Sequence, residues 1–408
     1  MGRVIGYDLT DMSCQVSIGI IGDNGEEVQS VPVTAGTEKY VIPAAAYIKE
    51  NGDILYGEDA IKAANDGREA ITGLLGKAAR CESFEKYGRS YNCRELLAGF
   101  IKKTMHMSSV LSPYEEVERA VITLPYLTGE YVKTVDECLA FLAEEEIEYR
   151  IIGYPESFFY YAMNQNPELT KNKVALFDYD GNIVRSILLY TRVDTRPHLA
   201  MIEHRDFDMP LKDDMCFLEI ARSVLDSEIV SAVYLSGEGF EGGWLKRSVS
   251  YLCERQRRVF QGRNLYTKGA CYAGIDDRDG NPTLDTCRFF DDDKLISNVG
   301  IYMIRNGQEI YVPLLEAGTN WYEAKGSSEF YMDTDQEIRV KLESFFTRDV
   351  RYSVIRCDSF PSRPAGCTRV RLEASMKDSS SILCKTFDLG FGDIFGPSPD
   401  AVETEIFL

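Results

Sequence analysis

The chain has 408 residues, too many for one ordinary domain and enough for two or three, each with its own core. Its 44% hydrophobic and 27% charged residues are the composition of a globular protein. Lys and Arg number 45 against 65 Asp and Glu, so a formal net charge of −20 repels a polyphosphate backbone over most of the surface and excludes nucleic acid as a partner.

Met1-Gly2-Arg3-Val4-Ile5-Gly6 enters directly into an apolar run, without the h-region of a signal peptide and with Gly6 where a myristoylation signal wants Ser or Thr. Val4 to Asp8 and Val16 to Ile21 are short apolar runs about a polar turn, which predicts a β-hairpin with Asp8 at its bend. A helix is expected from Arg94 to Met105 and a strand from Ala120 to Leu124. From Thr128 to Glu146 the apolar residues Val132, Val135, Leu139 and Leu142 keep the helical period, with Thr128 as N-cap.

The opening arrangement then recurs. Val174-Ala175-Leu176-Phe177-Asp178 runs through Tyr179-Asp180-Gly181-Asn182 into Ile183 to Tyr190, a second hairpin with an aspartate ending its first strand. Further helices are predicted from Asp213 to Leu225 and from Gly243 to Arg257, giving an α/β architecture for roughly the first 290 residues. A boundary is expected between Asp291 and Val299, dividing the chain into 1–294 and 295–408. Beyond it Val299 to Ile304, Ile310 to Leu315, Ile338 to Leu342, Val350 to Cys357, Thr368 to Ala374 and Ile382 to Phe387 are β-rich runs broken by turns, an all-β sandwich. The tail Asp400 to Leu408 ends in Ile406-Phe407-Leu408 and offers either an occupant for an apolar groove on that sandwich or a free end.

Eleven cysteines are scattered singly with no metal or redox spacing, and no apolar stretch is long enough to cross a bilayer. These features imply a cytoplasmic protein with reduced thiols and no membrane insertion. His106, His198 and His204 are not spaced for metal binding or paired with a nucleophile motif, and Asp291-Asp292-Asp293 reads as a solvated linker.

Two aspartate-bearing hairpins resemble the two phosphate loops of the actin-like ATPase superfamily. Within it the chain is similar to DnaK-type heat-shock chaperones of the seventy-kilodalton class. Ile42-Pro43-Ala44-Ala45-Ala46-Tyr47-Ile48, Leu55-Tyr56-Gly57-Glu58-Asp59-Ala60 and Ala120-Val121-Ile122-Thr123-Leu124-Pro125-Tyr126 follow that family's order. Ile151 to Tyr161 looks like its first connecting segment, Val233-Tyr234-Leu235-Ser236-Gly237 like its adenosine motif, and Lys268-Gly269-Ala270-Cys271 like its final glycine-alanine helix start. Phe360-Pro361-Ser362-Arg363-Pro364-Ala365-Gly366, with the runs after it, is similar to the family's substrate-binding sandwich. The resemblance implies a two-lobed, ribonuclease H-like nucleotide-binding fold followed by the sandwich. The lobe that clamps the purine is missing, because only about two dozen residues separate Asp208 from Val233, and no helical lid follows the sandwich.

The same resemblance assigns nucleotide or magnesium roles to Asp8, Thr10, Asp178, Gly181, Gly237, Gly239 and Gly269, with Asp8 and Asp178 holding magnesium through water if nucleotide binds. Each aspartate has the alternative of closing its own turn. Several family positions have changed. Leu9-Thr10-Asp11-Met12 lacks the first loop's glycine, Asp180-Gly181-Asn182-Ile183 keeps one glycine of the second, the lysine falls on Thr72 and the glutamate on Tyr154. Lys77 and Glu156 stand near those last two positions. Trp321 and Phe330 are the peptide-groove candidates.

The leading expectation is a degenerate chaperone-like module that binds a polypeptide or protein partner, a pseudo-ATPase holding Mg-ATP or ADP weakly or not at all. A competent ATP-dependent chaperone with a rearranged site and an actin-like structural scaffold are the alternatives.

Overall fold

A computed structural model describes residues 2–22, 25–34, 36–64, 69–107, 117–333, 336–399 and 401–408. The chain divides into two compact units, Met1–Asp291 and Asp292–Leu408. No helix among the described residues is long and apolar enough to cross a membrane.

The first unit is an α/β region built on two six-stranded mixed sheets with one arrangement repeated. In the first sheet Glu148–Gly153 and Val117–Leu124 run parallel to Arg3–Leu9, which continues antiparallel into Ser13–Gly22 and Gly25–Ser30. In the second, Arg258–Gln261 and Val230–Ser236 run parallel to Lys173–Tyr179, which continues antiparallel into Ile183–Arg192 and His198–Asp208. Asp8 lies opposite Gln15 and Thr123, and Asp178 opposite Arg185 and Ser236, so the two aspartates hold equivalent register positions. Arg3–Leu9 is buried at every residue and Lys173–Tyr179 at all but its first, as central strands covered on both faces must be.

The outermost parallel strand of each sheet leads to a helix, Tyr154–Met163 after Glu148–Gly153 and Leu265–Arg278 after Arg258–Gln261. These helices pack against each other and share one core with both sheets, containing Val121, Phe158, Phe159, Leu176, Ala270 and Phe289. Their approach depends on small residues. A Cβ on Gly269 would sit 1.9 Å from the Ser157 carbonyl oxygen, and one on Gly6 would sit 2.1 Å from that of Thr267. Gly269→Ala should therefore force backbone apart and lower stability by about 1–3 kcal/mol, whereas Gly262→Ala, which meets nothing within 4 Å, should change it by less than about 0.5 kcal/mol. Urea unfolding of the two variants checks this, and equal midpoints would contradict it.

Local sequence explains the starts of two of the longer helices. Thr128 accepts the Tyr131 N–H at 3.2 Å and caps Gly129–Cys138, and Asp213 accepts from Met215 and Cys216 and caps Asp214–Leu225. The expected Thr128–Glu146 helix breaks at Leu139 into Gly129–Cys138 and Ala140–Glu144. The helix expected from Gly243 to Arg257 is reduced to Arg247–Leu252, because Gly242, Gly243, Arg255 and Gln256 take positive φ.

The second unit is all-β. One antiparallel sheet orders Gln308–Leu315, Ser297–Arg305, Glu337–Ser344 and Val350–Arg356, and the other Lys325–Met332, Thr368–Asp378, Ser381–Gly390 and Ala401–Phe407. Their inner faces meet in one core that includes Val299, Val340, Ile355, Leu372, Ile382 and Cys384. Asp400 lies outside the described residues, but the rest of the tail is neither free nor lying in a groove. Ala401–Phe407 pairs along Ser381–Gly390 and buries Ile406 in the core.

Candidate functional site

The duplicated strands bring Asp8 and Asp178 to the ends of equivalent central strands, 5% and 7% exposed. Each carboxylate faces a tyrosine in the first turn of the helix that follows its own sheet. The Tyr154 hydroxyl donates to Asp8 Oδ1 at 2.8 Å, and the Tyr266 hydroxyl stands close enough to the Asp178 carboxylate to favour its charged form. The two rings stack at 3.6 Å between centroids and 15° between planes. A continuous chain of side chains, Asp8–Tyr154–Tyr266–Asp178, therefore joins the two halves of the unit at its centre.

This environment disfavours charge. Burial pushes the Asp8 carboxyl up to about 7, and Asp178 adds to the rise while the Tyr154 hydroxyl opposes it. Burial also raises Asp178, to about 6, with Arg185 and the hydroxyls of Tyr266 and Ser236 holding it back. Both tyrosines are driven well above their ordinary range by burial first and by the neighbouring carboxylates second.

Arg185 closes the other side of the second loop. Its Nη1 lies 3.8 Å from Asp178 Oδ2, its Nη2 3.1 Å from Asp180 Oδ2, and its Nε donates to the Tyr126 hydroxyl at 3.0 Å. The guanidinium also lies 5.5 Å from the centroid of the Tyr126 ring. Tyr126 follows the first sheet's Val117–Leu124 strand, so this cation too spans the two halves.

The remaining loop groups are engaged within their own turns. The Thr10 hydroxyl accepts from the Met12 and Ser13 N–H groups at 3.2 and 2.9 Å and donates to the Ser13 carbonyl at 3.0 Å. Asp180 Oδ1 accepts from Asn182 and Ile183 N–H, both at 2.9 Å, an Asx turn that Gly181 completes at φ 103° with nothing within 4 Å of its Cβ position. Asp11 accepts the Gly76 N–H at 2.8 Å and completes the N-terminus of Leu74–Ala79, whose N-cap Gly73 has no side chain to do so.

The glycines have packing roles. A Cβ at Gly237 would meet the Tyr179 carbonyl oxygen at 2.3 Å, and one at Gly239 the Tyr179 ring at 2.2 Å. Gly269 accommodates the helix crossing described above. Thr72 is exposed, and Lys77 Nζ donates to its carbonyl at 2.5 Å. Glu156 is buried and pairs with Arg150, which also bonds Asp277 at 2.6 Å. Tyr154, where the resemblance expected a glutamate, presents its hydroxyl to Asp8.

In the second unit Trp321 and Phe330 are partly buried against the sandwich core. The structure thus gathers Asp8, Thr10, Asp178 and Gly181 at the two loops and places Trp321 and Phe330 as packing residues. Arg185, Tyr126 and Tyr266 escaped sequence reading; the only signal for Tyr266 was its place at the start of a segment that had already drawn attention for Gly269. Among the described residues, no three His, Cys, Asp or Glu side chains are grouped so as to hold a metal ion.

Two family models match the chain. A domain of unknown function, DUF8552, covers residues 294–408. The C-terminal model of a family of unknown function, DUF5716, covers residues 27–292, well over half the chain. The chain therefore belongs to the DUF5716 family through that family's C-terminal region, here followed by a DUF8552 domain.

Proposed function

We propose that this protein is a degenerate relative of heat-shock chaperones, in which an actin-like unit has become a scaffold that does not hydrolyse ATP and the β-sandwich binds a polypeptide partner. The repeated sheet order, the aspartates at matching positions and the paired helices between the sheets support an actin-like, ribonuclease H-like origin for the first unit.

The observation that carries the loss of activity is the Asp8–Tyr154–Tyr266–Asp178 chain. A magnesium-nucleotide needs ionised carboxylates reachable through water, free N–H groups and hydroxyls for phosphate, and a cation to stabilise developing charge. Here both carboxylates are buried and raised toward neutrality, and Asp8 accepts the Tyr154 hydroxyl. The hydroxyl and the carboxylates of the loops close turns, and Arg185 is committed to Asp178, Asp180 and Tyr126. These residues do not fit Mg-ATP or ADP as a resident ligand.

With the first unit silent, the binding role falls to the sandwich, since antiparallel sheets recognise extended chains through backbone hydrogen bonds. Thermal unfolding tests both halves of the proposal. A ligand present at about a hundred times its dissociation constant stabilises by roughly 2.7 kcal/mol. Millimolar Mg-ATP should leave the midpoint unchanged, while a permanently unfolded, labelled polypeptide should bind the full-length chain. A shift with Mg-ATP and no binding of the polypeptide would overturn the proposal.

A further inference from the structure

The sandwich has four edge strands, and three are protected. Gln308–Leu315 carries Pro313 and a register irregularity opposite Val299 and Gly300. Lys325–Met332 lies against that strand so closely that a Cβ on Gly326 would stand 2.0 Å from the Leu314 carbonyl oxygen. Ala401–Phe407 presents Glu403 and Glu405, tied back to Lys385 and Lys377 at 2.7 and 3.1 Å.

The fourth edge, Val350–Arg356, has neither a proline nor a register break; its Arg356 pairs with Glu337 at 3.5 Å and its Arg351 donates to the Phe407 carbonyl, but neither covers its outward apolar face. It pairs on one side with Glu337–Ser344 in unbroken register, contains no proline or lysine, and has no strand partner on its other side among the described residues. Its outward face is apolar, with Val350 45%, Tyr352 57% and Val354 42% exposed. An unpaired, regular, apolar edge is a template for another strand.

Charge selects the strand. Across 337–356 five cations, Arg339, Lys341, Arg348, Arg351 and Arg356, stand against three acids, in a chain whose formal net charge is −20. Arg339, Arg348, Arg351 and Arg356 are exposed, with Arg348 3.8 Å from Glu343, Arg356 3.5 Å from Glu337 and Arg351 donating to the Phe407 carbonyl, which leaves the cations in excess of the acids at this edge. Lys341, directly opposite Tyr352, is half-buried and lies 5.6 and 5.3 Å from the ring centroids of Tyr302 and Tyr311. We infer that Val350–Arg356 is the docking edge of the sandwich and takes an extended, acidic polypeptide segment with apolar residues at alternate positions, added as a fifth strand.

This inference rests on the polypeptide-binding reading above and places the contact away from Trp321 and Phe330. Its test is fluorescence anisotropy on the full-length chain, with a labelled peptide alternating valine and glutamate and a counterpart alternating valine and lysine. The wild type should bind the glutamate peptide and not the lysine one. Successive N–H groups of a strand point to opposite sides, so of Ser353→Pro and Val354→Pro only one removes a donor from the free edge, and it is the one that keeps the wild-type melting temperature. That variant should bind at least about tenfold more weakly. The double variant Arg348→Glu with Arg356→Glu alters exposed side chains only and should turn the preference toward the lysine peptide.

Wild-type affinity in the edge-facing proline variant, or an unchanged preference in the charge variant, would overturn the assignment. So would a wild-type dimer, measured by light scattering, that the same proline variant dissociates, because a second copy would then occupy the edge. If neither acidic peptide nor unfolded polypeptide binds, the polypeptide-binding reading falls with it. If the unfolded polypeptide binds wild type and variants alike, that reading stands and only the edge is wrong.

Discussion

Asp8→Asn should stabilise the protein by roughly 1–3 kcal/mol at about pH 8 and should destabilise it by about 1–3 kcal/mol near pH 4, where only the cost of the asparagine N–H group remains. The folded carboxyl titrates at about 7 against 3.8 for an ordinary aspartate. Its contribution to stability is therefore fully present below about pH 4 and is lost as the pH rises through about 7, where folding must bury a charge that the unfolded chain keeps in water. The full linkage over that interval amounts to about 4 kcal/mol, and an asparagine N–H group left without an acceptor takes back part of the gain. The asparagine carbonyl can still accept the Tyr154 hydroxyl, so the stacked pair is retained. Denaturant titrations of wild type and variant between about pH 4 and pH 8 give the comparison. A magnesium-binding aspartate must be ionised at neutral pH, and a variant equally or less stable at the upper end would show that the charge is wanted there.

Arg363→Ala should cost about 3–5 kcal/mol in the sandwich. The Arg363 guanidinium meets Asp388 through two parallel bonds of 2.7 Å and donates to the Gly396 carbonyl at 2.8 Å. Asp388 also accepts from Gly390 and Ser398 N–H at 2.9 Å, so this pair joins three stretches of chain. The two side chains are 3% and 0% exposed. Removing the arginine leaves a buried carboxylate with backbone donors alone, whose desolvation is no longer offset. The exposed Lys385–Glu403 pair is the control, and Lys385→Ala should change stability by less than about 1 kcal/mol. Equal losses in the two variants would mean that Arg363 is not the anchor described.

Much of this fold was legible because its signals are local. The two hairpins are contiguous runs, each ending in an aspartate, and the sheets place Asp8 and Asp178 at matching positions. The caps at Thr128 and Asp213 lie within three residues of the N–H groups they satisfy. The site's present state was not legible, because it depends on pairs far apart in sequence. Tyr154 reaches Asp8 across 146 positions, and Arg185 reaches Tyr126 across 59. The resemblance drew Tyr154 out as a position where a glutamate was expected, but gave no sign that its hydroxyl would bond Asp8 or that Tyr266 would stack on its ring. Glu156, which a two-residue shift would have made a substitute carboxylate, lies instead with Arg150 and Asp277. The tail strand Ala401–Phe407 alternates exposed Glu403 and Glu405 with the more buried Val402, Thr404 and Ile406, and it is pairing along Ser381–Gly390 that orders it.

The central claim, that the chain's own tyrosines and arginine have taken over a nucleotide site, is tested most directly by ATP turnover. Purified full-length protein should release no phosphate above the background set by Asp8→Ala and Glu156→Ala, with or without magnesium. Losing one charge-stabilising donor slows such chemistry by about two to three orders of magnitude, and the proposed function has several of them lost. Magnesium-dependent hydrolysis that both substitutions abolish would contradict the account.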